Sequence, residues 1–335
     1  MWNLLWGWID QPLTATSALF MIIGAVVVLA VVLGVVTYSI YFERKIIGWM
    51  QGRIGPNRVG PFGLFQSFAD ILKLLIKEDI VPAKADRLMF LVAPMITYVP
   101  SFMVLAVIPY TAQHWFTAQL NVGILYYIAL SSISIIGIVL GGWASNNKYS
   151  LIGGLRSAAQ MISYEIPLAL SMLGVVLMAG SLNLIDIVKA QENFPYVWYV
   201  VPQILGFVVF IISATAELNR TPFDLPEAES ELVSGYFTEY SGFRFAFYML
   251  AEYVYITAMA GLAAALFFGG WSGPLLPGWL WYAIKASAFI FLMFWLRATY
   301  PRVRNDQLMG FSWKVLIPLA LLNIFLTAII KIAMM

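Results

Sequence analysis

The stretch from Ala216 to Phe245, AELNRTPFDLPEAESELVSGYFTEYSGFRF, sets six carboxylates, Glu217, Asp224, Glu227, Glu229, Glu231 and Glu239, between two strongly apolar segments. Arg220 and Arg244 are the cations near them. Acids crowded this way repel one another, which should raise the pKa of some of the loop carboxyls. A charge run of this kind is in general a solvated face. Here it is interleaved with Leu225, Leu232, Val233, Tyr236 and Phe237, and Pro222 and Pro226 restrict the backbone where a merely solvating tail would be free. Carboxylates held beside a membrane are what proton-coupled chemistry needs, so the loop reads as a functional site.

A second set of ionisable residues lies inside apolar runs: Glu165, directly after Tyr164, then Glu217, Glu252 and Lys285. On insertion scales each costs about 2.5–3.5 kcal/mol near a bilayer centre, so together they weigh roughly 10 kcal/mol against insertion unless they pair or meet water. Glu252 has Tyr248 four residues before it and Tyr255 three after, a polar-aromatic face suited to hydrogen bonds or a file of water. A structural pair, Glu252 with Lys285, is the simpler reading for one acid. Three acids against one base leave carboxylates over, and these are expected to relay protons.

The elements that must carry these residues follow from composition. The chain is 61% hydrophobic and 11% charged, about half the charged fraction of a soluble domain. Its long apolar runs point to helices and not to a barrel of alternating strands. The expected fold is an all-α polytopic membrane bundle, a single integral-membrane domain over 1–335. Its eight spans are expected at about Ala18–Tyr41, Met89–Tyr110, Val122–Ala144, Gln160–Gly180, Val200–Leu218, Phe243–Phe268, Gly278–Leu296 and Trp313–Ile332. Pro94, Pro100 and Pro109 are expected to kink the second span. Met1–Ser17, rich in Trp, reads as an interfacial lead-in, and Leu19–Tyr41 as a retained span, since no basic run precedes it.

Between the first two spans runs a long loop, Phe42–Arg87, opening ERKIIGWMQGRIGPNRVGPFG. Its Gly-Pro pairs force a non-helical path, and Arg44, Lys45, Arg53 and Arg58 set positive charge along it. Within it, Gly63–Lys77 reads as an interfacial amphipathic helix, with Leu64, Phe68, Ile71, Leu72 and Leu75 on one face and Gln66, Asp70, Lys73 and Lys77 on the other. Lys and Arg crowd the loops after spans one, three, five and seven, while the opposite side carries Lys189 and Lys331. The positive-inside rule then puts both termini outside and the motif-rich loops in the cytoplasm.

The absence of Cys excludes thiolate-held iron–sulfur clusters, Cys-type zinc sites and disulfides. The single histidine, His114 beside Trp115, excludes paired-histidine haem ligation and reads as an interfacial residue. Any redox centre is therefore expected in another subunit.

Four motifs carry a resemblance. The run Glu43–Gly63, the run GWASNNKYSLIGGLRSAAQMISYE from Gly142 to Glu165, the acidic stretch above and RATYPRVRNDQLMGFSWK from Arg297 to Lys314 resemble, in the same order, a family of membrane subunits of proton-translocating NADH:quinone oxidoreductases, respiratory complex I: the H subunits of bacteria, known as subunit 1 in mitochondria. The resemblance implies a subunit that forms much of a quinone chamber, with a quinone as substrate and no cofactor bound by this chain alone. FMN and iron–sulfur clusters would lie in partner subunits. It implies that Glu43, Arg44, Arg53, Arg58 and Arg297 line or shape the chamber, and that Asp224, Glu227, Glu229 and Glu231 link it to Glu165, Glu217 and Glu252. Tyr164, Glu239 and Lys285 join these acids in the implied proton path. The implied partners are soluble quinone-module subunits, small membrane subunits and antiporter-like subunits in a bacterial inner membrane, with no nucleic acid.

Two other classes fit the residues alone: a secondary transporter with carboxylate proton sites, and the anchor subunit of a membrane-bound hydrogenase. The topology is open to a direct check. In Asn57→Cys or Ser230→Cys protein, an impermeant thiol reagent should label the cysteine from the cytoplasmic side, and labelling from the outer side would overturn the orientation.

Overall fold

The computed structural model describes residues 15–111, 120–193, 198–226 and 232–334. Helix α1, Ala15–Met50, holds 36 residues without a proline. At 1.5 Å per residue that is roughly 54 Å, well beyond the ~30 Å hydrocarbon core, so its end projects past the membrane. The expected end at Tyr41 is therefore too early. Glu43, Arg44 and Lys45 ride on helix and not in a loop. The stop comes at Gly52, whose φ of +66° is the left-handed conformation glycine adopts freely. There Arg53 N donates to Gly48 O at 2.9 Å and Gly52 N to Trp49 O at 3.1 Å, the two bonds of a Schellman cap.

The chain then makes a 3₁₀ turn, Pro61–Gly63, whose Phe62 carbonyl accepts from the Tyr41 hydroxyl at 2.8 Å. It enters α2, Gln66–Ile76, three residues after the expected start. The apolar face of α2, with Phe68, Ile71, Leu72 and Leu75, is exposed.

Helix α3, Arg87–Val104, is capped by Asp86, which accepts from Leu88 N and Met89 N. Pro94 and Pro100 lie inside it, but Pro109 does not: the helix has already tightened into a 3₁₀ turn at Leu105–Val107. Helix α4 is Gly123–Ala144. Helix α5, Lys148–Ala179, starts twelve residues before the expected Gln160, because Asn147 accepts from Tyr149 N and caps it there. A short helix not anticipated from sequence, α6, covers Leu184–Asn193.

Helix α7, Ile204–Glu217, has 14 residues, about 21 Å, which is too short to cross the hydrocarbon core unaided. Then come α8, Gly242–Phe267, and α9, Gly278–Thr299. Helix α10, Asn305–Phe311, runs through a π stretch at Ser312–Leu316 into α11, Ile317–Met334, so the last span begins before the expected Trp313. Seven helices among the described residues are long and apolar enough to cross a membrane, and α7 is the shorter eighth apolar helix. His114, most of the Trp-rich lead-in, Glu227, Glu229, Ser230 and Glu231 lie outside the described residues.

The bundle is organised on α8, whose residues from Ala258 to Phe267 are all buried. It packs against α3, α9 and α1, while α5 lies among α4, α7 and α11. Two close backbone approaches bring α5 to the acidic stretch and to the end of α4. A Cβ added at Gly153 would meet Gly235 Cα at 2.6 Å, and one added at Gly142 would meet Ser150 O at 2.6 Å. The contact at Gly153 is backbone on backbone and has no flexible side chain to give way. Gly153→Ala should therefore destabilise by about 1–3 kcal/mol, the usual cost of overpacking. A thermal melt of the purified protein checks this, and an unchanged midpoint would refute it.

Candidate functional site

The extension of α1 puts Glu43 inside the protein, 3% exposed, against two arginines from other segments. Arg220 Nη1 donates to Glu43 Oε1 at 3.0 Å. Arg297, from the last turn of α9, donates to the same oxygen. The Tyr253 hydroxyl donates to the other carboxylate oxygen at 2.6 Å, so Glu43 is bonded on both sides. Arg220 itself is 4% exposed and lies over the Tyr253 ring at 4.6 Å. Its Nε approaches Glu252 Oε1 to 2.6 Å, an ion contact whose N–H is not aligned on the oxygen for a hydrogen bond.

Four segments distant in sequence thus meet in one buried cluster of two carboxylates and two guanidiniums. Burial alone would lower the pKa of Arg220, but Glu252 and then Glu43 beside it more than offset that and push it further up. It is a fixed cation. Asp224 lies next to this cluster, and Arg302 donates to its Oδ2 at 3.2 Å. Burial raises the Asp224 pKa, and Arg302 brings it only part of the way back. The loop acid is therefore raised as expected, but by burial first and not by its acidic neighbours. Pro222 O accepts from Val303 N at 3.0 Å, which ties the acidic stretch to the Arg297–Lys314 motif.

Beside Glu252 lies a small pocket of about 40 Å³, walled by Glu252, Glu217, Ser131, Ser134, Thr97, Asn219, Tyr236, Tyr248 and Tyr255 among others. The Tyr248–Glu252–Tyr255 face expected on the sixth span is part of that wall. Glu217 is the last residue of α7, and its Oε2 is buried with no protein partner. A space of this size has room for about three waters, and its lining offers them donors and acceptors. Glu165, half-buried on α5, accepts from the Ser132 hydroxyl and is the like charge that acts on Glu217.

The other expected site residues are elsewhere. Arg44 pairs with Asp70 at 2.6 Å on the surface, Arg53 donates to Gln51 at 2.7 Å, and Arg58 is exposed. None of these three enters the cluster. Tyr164 is buried, but its hydroxyl donates to Leu308 O at 2.9 Å and its ring packs on Phe223, away from the cavity. Glu239 accepts from Asn147 Nδ2 at 2.5 Å at the edge of an open cleft of about 410 Å³ that also holds Lys84 and Lys148.

The Glu252–Lys285 pair does not form. Lys285 Nζ instead donates to the carbonyls of Phe268, Gly270 and Ser272 at 2.5, 2.9 and 2.6 Å, and it lies over Trp198 and Trp281. It caps the C-terminal end of α8, where exposed carbonyls favour a cation.

Three residues of the site are not singled out by the sequence. Arg220 shows there only as one of two cations in an acidic run. Arg302 sits unmarked within a longer motif. Tyr253 is adjacent to Glu252 and so points about 100° around the helix, off the Tyr248–Glu252–Tyr255 face.

A family model described as NADH dehydrogenase matches residues 23–328. The chain is 63% identical over 319 residues to the H subunit of the NADH-quinone oxidoreductase of Brevibacillus brevis, covering 94% of each chain. It is 64% identical over 312 residues to the proteins of that name from Bacillus thuringiensis and Bacillus cereus, covering 92% of each.

The cluster makes a stability prediction. Glu43→Gln leaves two guanidiniums together without their shared carboxylate, and breaking a buried ion pair costs about 3–5 kcal/mol. Differential scanning of the purified variant should show a lowered transition. An unaltered one would mean that the Glu43 charge contributes nothing to the fold.

Proposed function

Because the chain belongs to the NADH dehydrogenase family, we propose that it serves as the membrane H subunit of an NADH-quinone oxidoreductase, shaping a quinone chamber and passing the charge changes of quinone reduction to buried carboxylates. The observation that carries this reading is Glu252, which belongs at once to the charged cluster and to the cavity that holds Glu217. A charge change at one is felt by the other.

Reduction of a quinone takes two electrons and two protons. The electrons come from FMN and iron–sulfur centres in partner subunits, since this chain has no cysteine to hold a cluster. What the chain supplies is fixed positive charge and proton-exchanging acids. Arg220 and Arg297 face the chamber with Glu43 between them, and Arg44 near the end of α1, with Arg53 and Arg58 in the loop after it, sets positive charge along the approach. Asp224 and the loop acids Glu227, Glu229 and Glu231 connect that side to Glu217, Glu165 and Glu252. Glu239 belongs to the same path from its position by the open cleft. Tyr164 and Lys285 act on it from a distance, as a packing anchor and a helix cap. The soluble quinone-module subunits dock on the cytoplasmic loops, the smaller membrane subunits and antiporter-like subunits flank the bundle, and both termini face outward across a bacterial inner membrane.

The test separates relay from structure. Glu217→Gln keeps the size and much of the hydrogen bonding but cannot titrate. In an assembled complex that still passes electrons from NADH to an artificial acceptor, it should lower quinone reduction and proton pumping together by at least about tenfold, since a positioned proton-transfer group contributes about a hundredfold or more. Normal turnover and pumping there would remove Glu217 from the path. The chain purified alone should reduce no quinone with NADH, having no electron donor.

A further inference from the structure

The turn that presents Arg220 is gripped from outside. Helix α7 ends at Glu217, and residues 216–223 fold into a tight turn in which Arg220 N donates to Thr215 O at 3.2 Å and Phe223 N to Arg220 O at 2.8 Å. Gln160, 1% exposed on α5, reaches both ends of this turn with one amide nitrogen: Nε2 donates to Ala216 O and to Phe223 O, each at 2.7 Å. Both neighbours are carbonyls, so only the NH₂ end of the amide can face them. Its Oε1 is buried with no partner, and the residue's polar contacts in the protein are these two donations. One turn earlier on α5, the Ser157 hydroxyl accepts from Asn219 Nδ2 at 3.0 Å. Asn219 has φ +51°, a conformation unusual for a residue with a side chain and one the surrounding bonds must hold.

We infer that Gln160 is a positioning residue for the Arg220 site: its amide clamps the two ends of the 216–223 turn and so fixes where the Arg220 guanidinium sits between Glu43 and Glu252. The side chain touches neither carboxylate and acts through backbone alone. Arg220 holds Glu43 by one aligned hydrogen bond at 3.0 Å and Glu252 by an ion contact at 2.6 Å, and a displacement of about an ångström would break the first and weaken the second. Without the clamp, the turn keeps its own internal bonds and the Asn219–Ser157 bond to α5, but its two ends are freed as the Phe223 and Ala216 carbonyls lose their side-chain partner.

The inference rests on the reading that Arg220 matters for quinone turnover, and a double-mutant cycle tests the two separately. Gln160→Met, Arg220→Lys and the double variant are made in the assembled complex, and NADH:quinone turnover is compared with NADH oxidation by an artificial acceptor. Gln160→Met should lower quinone turnover about threefold or more with acceptor activity intact, the loss that a small misplacement of a site group produces. In the Arg220→Lys background, where no guanidinium is left to position, the same change should cost less than about twofold. Equal losses in both backgrounds, or no loss from Gln160→Met, would overturn the positioning role. Full turnover in Arg220→Lys would instead sink the reading of Arg220 itself. If Gln160→Met does not assemble, Gln160→Asn, which keeps a buried amide but is one methylene too short to reach both carbonyls, is read by the same cycle with the same two outcomes.

Discussion

The carboxylate of Glu43, shared by Arg220, Arg297 and Tyr253, is the contact on which the loop end of the molecule depends. Taking ions out of water costs several kcal/mol each even after relaxation, and the cost is recovered only when all partners are in place. Two carboxylates and two guanidiniums sum to zero charge, so the cluster is tolerable whole and costly in part. That constraint explains features which look unrelated along the chain. It gives α1 a reason to continue as helix past the apolar run, since a loop would not deliver Glu43 to the interior. It also draws the end of α9 and the turn after α7 to one point.

A neutral cluster beside a small polar cavity is also sensitive to charge. At an effective dielectric of about 20, a unit charge roughly 8 Å away changes an ionisation by about 2 kcal/mol, which is more than a factor of ten. Negative charge arriving near Arg220 and Arg297 would therefore shift Glu252 without touching it, and Glu252 and Glu217 line the same cavity. Arg220 is held cationic by Glu252 and Glu43, so any change of charge in the cluster has to come from its carboxylates.

Much of this was legible in the sequence and part was not, for physical reasons. Long apolar runs have few ways to satisfy their backbone in lipid, so the spans at Gly123–Ala144, Gly242–Phe267 and the start of Gly278–Thr299 read out within a residue or two. The errors fall where local signals conflict. A charged ERK triplet reads as loop although α1 carries it as helix, and Pro109 reads as a kink although the helix has already ended. The buried acids were legible because each violates the composition around it. Their partners were not, since pairing depends on which helices pack, and that is how Glu252 came to face Arg220 while Lys285 found carbonyls. Gln160 gave no signal at all: a single glutamine in an apolar helix reads as filler until the turn it holds is seen.

The distribution of unsatisfied groups separates the two ends of the protein. Away from the acidic stretch, several buried polar groups are tied off, although Thr111, Ser150, Gln160 and Ser213 each keep one unpartnered oxygen. Gln203, Asn323 and Thr327 bond to one another, Asn323 also accepts from Gly206 N, Lys285 caps three carbonyls, and Lys331 donates to Leu177 O. Among the described residues, by contrast, the buried atoms lacking a hydrogen-bond partner include Glu217 Oε2, Asn219 Oδ1, Arg220 Nε and Asp224 Oδ1, all within a single eight-residue segment. Each such atom costs about 1–3 kcal/mol, and more when charged, so a protein retains several side by side only where something else is gained. Satisfied polar groups fix a geometry, and unsatisfied ones leave it responsive to water, protons or a ligand. The anchored end therefore supplies a rigid frame, and the capacity to respond is concentrated in the turn between α7 and α8.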